Sequence, residues 1–236
     1  DIMGINELLL LLSVLFIYGS VVLFYRLFGN TGLYCLNAVV TITANIEVLL
    51  LVVAFGLEQT LGNVLFASTF LITDILSENS GKKAARRGVY IGIAASLFFL
   101  AISQTWMWYQ PSVNSYLTPA LREVFSHTPR MVLAGISVYI IVQLLDVHLY
   151  HLIWSLTERF SNSKKGFLWL RNNVATLISQ LMNSVLFNLA AFWGTYDLKT
   201  LISIISSTFL IYVFTTFLDT PFVYLARKLQ KDAVSA

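Results

Sequence analysis

VLAGISVYIIVQLLDVHLYHLIW, residues 132–154, decides how the rest of the chain is read. It is long and apolar enough to cross a bilayer, whose hydrocarbon core takes about 20 residues of helix. Yet Gln143 and Asp146 sit in its middle. A charged side chain at the centre of a membrane helix costs at least ~2.5–3.5 kcal/mol on insertion scales. Such residues face a protein interior or a water-filled cavity, and they mark solute or ion pathways. Tyr139, Gln143, Asp146 and Tyr150 follow offsets of 0, 4, 7 and 11, so they share one helical face.

The same reading extends outward. The 236 residues are 57% hydrophobic and only 11% charged, whereas soluble domains carry about 25% charged residues. This excludes a soluble enzyme or a nucleic-acid-binding domain and points to an all-α membrane protein. Seven apolar runs are expected to span: about 5–28, 33–56, 60–79, 87–109, 130–155, 170–193 and 199–226. The first, Leu8 to Phe28, is longer than a signal-peptide core and lacks a basic leader, so it reads as a retained helix.

Basic residues orient the bundle. Arg26, Lys82, Lys83, Arg86, Arg87, Arg159, Lys164, Lys165, Arg171, Arg227, Lys228 and Lys231 fall on one side; only Arg122, Arg130 and Lys199 fall on the other. The crowded side is expected to be cytoplasmic, with the N-terminus outside and the C-terminus inside, in the cell (inner) membrane. Trp106, Trp108, Tyr109, Trp193 and Tyr196 mark the outer boundary and Trp169 the inner one. Between the fourth and fifth spans, Thr118-Pro119 begins a short amphipathic helix (113–125) expected to lie on the outer surface as a connector, the alternative being a lid over an outward-facing cavity.

Four carboxylates interrupt the spans: Glu47, Asp74, Asp146 and Asp219. Polar stripes recur at helical spacing in three further spans: Asn37, Thr41 and Asn45; Phe70, Asp74 and Glu78; and Asn173, Thr176, Gln180, Asn183 and Phe187. Amides and hydroxyls join membrane helices for about 0.6 kcal/mol each, which accounts for single residues such as Thr41 and Thr176. The set exceeds what adhesion needs, and a solute cavity is expected. Carboxylates, carboxamides and aromatic rings together suit a flat, polar heterocycle. Asp219, two residues before Pro221, reads instead as a cap at a proline break. Glu47 lies on a different face from Asn45 and has no assigned role.

Catalysis fits poorly: HExxH, GxSxG and Walker-type motifs are absent, so no enzyme is expected. His148 and His151 diverge from Asp146 on a helix, so no metal or other cofactor is expected. The single Cys35 excludes an intrachain disulfide.

LGNVLFASTFLITDILSENSGKKAARR (61–87), QLLDVHLYHLIWSLTERF (143–160) and WLRNNVATLISQLMNSVLFNLAAFWG (169–194) resemble motifs of the queuosine precursor transporter family, also called the vitamin uptake transporter family. TANIEVLLLVVAFG (43–56) is similar to its longer members. The resemblance implies uptake of a 7-deazaguanine such as preQ0, preQ1 or queuine. It also implies a six-helix core (33–231) like the substrate-binding subunits of energy-coupling-factor transporters, with residues 1–32 an added helix in a single transmembrane domain. Asp74, Asp146, Arg171, Asn172 and Gln180 match family positions; Asn183 stands where the family commonly has Asp.

The expected substrate-binding residues are Asn45, Asp74, Tyr139, Gln143, Asp146, Asn173, Gln180, Asn183 and Phe187, with Asp146 first choice for the base's N–H edge. Glu78 and Arg171 are the expected gating or structural ion pair. Expected partners are a nucleobase-like solute, the lipid bilayer and a second copy in a homodimer, but no nucleic acid. Two alternatives remain: a substrate-capture subunit of an ATP-driven importer, and an assembly protein whose polar stripes only join helices.

Overall fold

The computed structural model describes residues 2–161, 166–194 and 197–235. Lys164, Lys165 and Tyr196, expected above to mark the two boundaries, lie outside the described residues, as do the side chains of Arg130 and Lys231.

The chain forms six helical elements: α1 (Ile2–Glu47), α2 (Gly62–Ser80), α3 (Lys82–Thr105), α4 (Thr118–Ser161), α5 (Leu168–Phe192) and α6 (Leu198–Ser235). The apolar part of α1, Gly4–Glu47, has 44 residues and would run about 66 Å if straight, twice a bilayer core. It is not straight. Gly29 has φ 59° and ψ −143°, a conformation open to glycine and costly for other residues. The break lets Gly32 come against the backbone of Phe24. The N-terminal end of α1 then returns beside the segment that follows its C-terminal end. Asn6 Nδ2 donates to Val53 O at 2.9 Å, and Phe55 N donates to Glu7 Oε1 at 2.8 Å. The two halves, 2–28 and 30–47, therefore run antiparallel, giving seven helical segments in all.

The outside of this bundle is apolar and its inside is partly polar. Phe16, Phe98, Leu27 and Leu210 are strongly exposed, while Asn37, Thr73, Asp74, Gln143, Asp146 and Gln180 are fully buried. That inversion is what lipid selects. Apolar side chains face the tails, and polar groups are kept where protein can satisfy them.

Among the described residues, five stretches are long and apolar enough to cross a membrane, in α1, α3, α4, α5 and α6. The exception, α2, carries Asn63, Ser68, Thr69, Thr73, Asp74 and Ser77. It survives inside the bundle because nearly all of it is buried, packed against α1, α3, α4 and α6. The protein is a mainly helical membrane protein organised around this polar central helix.

Three expectations are corrected. The second apolar run does not stay helical to residue 56. The helix ends at Glu47, and Leu51–Ala54 (β1) pairs antiparallel with Leu57–Thr60 (β2) in a hairpin. Its two-residue loop, Phe55-Gly56, has φ of 55° and 72°, as a primed hairpin turn requires. Glu47 thus stands partly exposed at a helix end and not inside a span. The outer amphipathic segment is not a separate helix either: Thr118 opens α4, which runs unbroken to Ser161. And α6 continues through Pro221, so Asp219 caps nothing. Membrane helices tolerate proline where neighbours re-satisfy the backbone.

Close approach of α3 to the site depends on Gly92. A Cβ there would come 2.5 Å from Tyr139 Oη and 2.9 Å from Asn37 Nδ2. Gly92→Ala is expected to destabilise the detergent-solubilised protein by about 1–3 kcal/mol, the usual cost of overpacking, read as a lower thermal midpoint. An unchanged midpoint would mean that Tyr139 and Asn37 yield freely.

Candidate functional site: a stratified polar interior

Three polar layers lie along the bundle, and the helical period sets their order. The lowest, at the end bearing most basic residues, is an ion cluster. Arg171 is fully buried. Its Nη2 donates to Glu78 Oε1 at 2.7 Å and Oε2 at 2.6 Å, and its Nε donates to Oε2 at 3.0 Å. Arg227 approaches the same carboxylate at 3.2 Å, and Tyr150 Oη donates to it at 2.8 Å. Arg171 Nη1 also donates to Gly166 O at 2.6 Å, and its guanidinium lies 4.2 Å from the centre of the Trp154 ring. One carboxylate thereby gathers groups from α2, α4, α5 and α6.

The middle layer is acidic. Asp74, Asp146 and Asp219 are each fully buried. Asp74 Oδ2 accepts from Thr176 Oγ1 at 3.1 Å, and Asp219 Oδ1 accepts from Asn172 Nδ2 at 2.7 Å. Asp74, Thr176 and Ser179 surround the Asp146 carboxylate, but neither of its oxygens completes a hydrogen bond. Gln143 links α4 to α2, accepting from Thr73 at 3.2 Å and donating to Thr69. Gln180 accepts from Thr216 of α6 at 3.3 Å. Asn173 donates to Trp169 O and to Thr220 Oγ1 at 2.8 Å, so it joins this layer near Asp219.

The upper layer is a cavity. Its walls include Thr41, Ala44 and Asn45 of α1, Gly62, Asn63 and Phe66 of α2, Ser96 of α3, Gly135, Ile136 and Tyr139 of α4, Asn183 and Phe187 of α5, and Tyr212 of α6. It encloses about 530 Å³ of empty space including its mouth. A wider vestibule of about 1600 Å³ adjoins it on the hairpin side, between β1–β2 and the ends of α5 and α6. Val48, Asn63 and Phe187 line both spaces.

Among the described residues, no Asp, Glu, Lys or Arg lines the cavity itself. Tyr139 Oη accepts from Asn37 Nδ2 at 3.1 Å, which fixes the ring. Asn183 Nδ2 donates to Tyr212 Oη at 2.9 Å, and Tyr212 Oη donates to Asn63 Oδ1 at 3.3 Å. This chain leaves the Asn183 carbonyl oxygen as an acceptor and the Asn63 amide nitrogen as a donor. Asn45 Nδ2 is held by Thr41 O and Ser96 Oγ, leaving its oxygen free in the same way.

The expected binding residues thus divide. Asn45, Tyr139, Asn183 and Phe187 meet at the cavity; Asp74, Gln143, Asp146, Asn173 and Gln180 lie in the layer beneath. Glu78 and Arg171 are bonded to each other. Sequence reading overlooked Asn63 and Tyr212. Both lie on legible stripes: Asn63, Phe66, Phe70 and Asp74 on α2, and Thr208, Tyr212, Thr215 and Asp219 on α6. The α6 stripe is inconspicuous in the sequence because its polar members before Asp219 are hydroxyls set among apolar residues.

Residues 60–226 match the family described as "Putative vitamin uptake transporter". The chain belongs to this family. It is similar to the "Probable queuosine precursor transporter" of Bacillus subtilis, 34% identical over 209 residues, covering 89% of each chain. It is also similar to the "Queuosine precursor transporter" of Escherichia coli, 28% identical over 162 residues, 68% of this chain and 67% of that one. No solved structure matches significantly. The protein is a membrane transporter and not an enzyme. Its family assignment spans all three layers, since the matched region contains Asp74, Glu78, Tyr139, Asp146, Arg171, Asn183 and Asp219.

Removing one partner of a buried ion pair typically costs 3–5 kcal/mol. Arg171→Met is expected to lose about that much stability, somewhat eased by Arg227 beside Glu78. Arg171→Lys should recover only part of it, because lysine cannot reproduce the forked contact. Chemical denaturation of the purified variants checks both; full recovery by lysine would contradict the forked geometry as the source of stability.

Proposed function

We propose that this transporter imports a 7-deazaguanine precursor of queuosine through the upper cavity, and that it favours an uncharged base. The observation carrying this reading is an amide- and aromatic-lined cavity free of charged side chains among the described residues, in a chain whose relatives are named queuosine precursor transporters. Small-molecule sites are mostly apolar with a few placed polar groups that fix orientation. Here Asn183 Oδ1 and Asn45 Oδ1 accept from the N–H edge of the base. The Asn63 amide donates to its carbonyl, and Phe187 and Tyr139 bracket the ring. Asn183 is the residue that decides charge preference. An amide meets the donor edge without charge, whereas an aspartate at this position would put a negative charge on the cavity wall, whose field favours a base carrying a cationic aminomethyl group elsewhere on its ring. The cyano-substituted base preQ0 is therefore favoured over preQ1.

In this reading seven spans cross the inner membrane, with the N-terminus outside. Residues 33–231 form a six-helix core like that of energy-coupling-factor substrate subunits, and 1–32 are an added helix. The vestibule beside the hairpin then faces outward. Solute enters past Phe187 and Asn63, and the Glu78–Arg171 pair holds the cytoplasmic end closed until helices α2 and α5 separate. The concentration of basic residues at the Glu78 end supports this orientation.

A ligand that binds only the folded state raises its stability. In a thermal-shift panel on the purified protein, preQ0 is expected to raise the midpoint most, preQ1 less and adenine not at all. Asn183→Asp is expected to shift the preference toward preQ1 by roughly tenfold in affinity, about 1.4 kcal/mol. Equal stabilisation by all three bases, or an Asn183→Asp protein with unchanged preference, would contradict the reading.

A further inference from the structure

The acidic layer has no part in the cavity wall, and adhesion does not account for it. Asp74, Asp146 and Asp219 come from three helices, α2, α4 and α6, and converge on α5 at Thr176, Ser179 and Asn172. All three are fully buried. Asp74 Oδ1, Asp219 Oδ2 and both Asp146 oxygens complete no hydrogen bond, and neither does the Ser179 hydroxyl that faces Asp146. Gln180, on the next position of the same helix, likewise has an unpartnered amide nitrogen. Buried polar groups are rarely left this way, and Ser179 and Asp74 lie beside the unpartnered Asp146 carboxylate.

The charged and titratable groups around this layer do not neutralise it. Tyr18 faces it from α1, Glu78 of α2 and Tyr150 of α4 lie beside Asp74, and Arg171 of α5 and Arg227 of α6 stand beyond them at Glu78. Both arginines are bound to Glu78, and Tyr150 donates to Glu78 as well. Three carboxylates therefore lie buried with no cation described beside them. Close carboxyls disfavour each other's charge, and a proton held among them relieves that repulsion.

We propose that Asp74, Asp146 and Asp219 form an exchangeable-proton site whose occupancy drives solute import. Coupling ions in transporters sit near the membrane midplane, and Asp146 is close to the middle of the apolar stretch Leu133–Phe160. The layer touches the cavity through continuous helical faces. On α4, Gln143 lies between Tyr139 and Asp146; on α5, Gln180 lies between Asn183 and Thr176. With protons bound, the three carboxyls hold α2, α4, α5 and α6 together. When a proton leaves toward the cytoplasm, like-charge repulsion separates α2, α4 and α6, and the cavity opens on that side. Proton occupancy and cavity access are thus two readings of one helix arrangement.

The driven step rests on the proposed uptake function, while the proton site itself does not, so two measurements separate them. Infrared spectra of the protein in lipid at neutral pH should contain a protonated-carboxyl carbonyl band that shifts on deuterium exchange and shrinks in Asp146→Asn and in Asp74→Asn. This needs no solute. Liposomes containing the full chain should accumulate preQ0 about tenfold for each unit of inward proton gradient if one proton accompanies each solute, and Asp146→Asn should only equilibrate it. Absence of a band removed by either variant would overturn the site. A band with accumulation indifferent to the gradient would overturn the coupling and leave uptake standing. A band with no uptake at all would instead overturn the proposed function. Should Asp146→Asn fail to fold, Asp74→Asn and Asp219→Asn take its place in both measurements.

Discussion

The Glu78 carboxylate is the constraint on which the interior depends. Buried at the end of α2, it accepts from Arg171 and Tyr150 and pairs with Arg227. A carboxylate out of water is tolerated only when it is paired and fully hydrogen-bonded. Meeting that demand fixes α4, α5 and α6 around α2 in one register. Everything above the cluster inherits the register, because each layer is one or two helical turns further along the same helices.

From this anchor the interior grades from charge to neutrality. The ion cluster is compensated, the acidic layer is not, and the cavity carries only amides, hydroxyls and rings. The gradient separates tasks that a single mixed site would confuse. A solute that meets no formal charge can leave as readily as it enters. Charge that has to be compensated is kept where helices must be held or moved. The family to which the chain belongs supplies the transport function; the gradation supplies an account of how a chain with so few charged residues performs it.

Much of this was legible in the sequence because helical periodicity survives burial. Tyr139, Gln143, Asp146 and Tyr150 share a face in the structure as their spacing requires, and Phe70, Asp74 and Glu78 do too. What spacing could not settle was depth. Tyr139 and Asp146 share a stripe but are about 10 Å apart along the helix, so one reaches the cavity and the other the acidic layer. Nor could an apolar run disclose its own end. Leu51–Ala54 is as apolar as the helix before it, and only the Phe55-Gly56 turn distinguishes a hairpin from a longer span. Asp219 was misread for a related reason. Pro221 is a breaker in water, but within a membrane bundle α6 runs on through it.

The central claim is that the cavity between Asn45, Asn63, Tyr139, Asn183 and Tyr212 is the route of the solute. Gly135 lies on its wall, and a side chain built there points at Asn45 Oδ1 and Phe187. Replacing it with leucine fills the space against Asn45 and Phe187 while leaving the acidic layer and the ion cluster untouched. The decisive measurement is uptake of labelled preQ0 into liposomes containing only this protein, wild type against Gly135→Leu at matched folded content. The account predicts saturable uptake by the wild type and its loss in Gly135→Leu. Undiminished uptake with the cavity filled would contradict it.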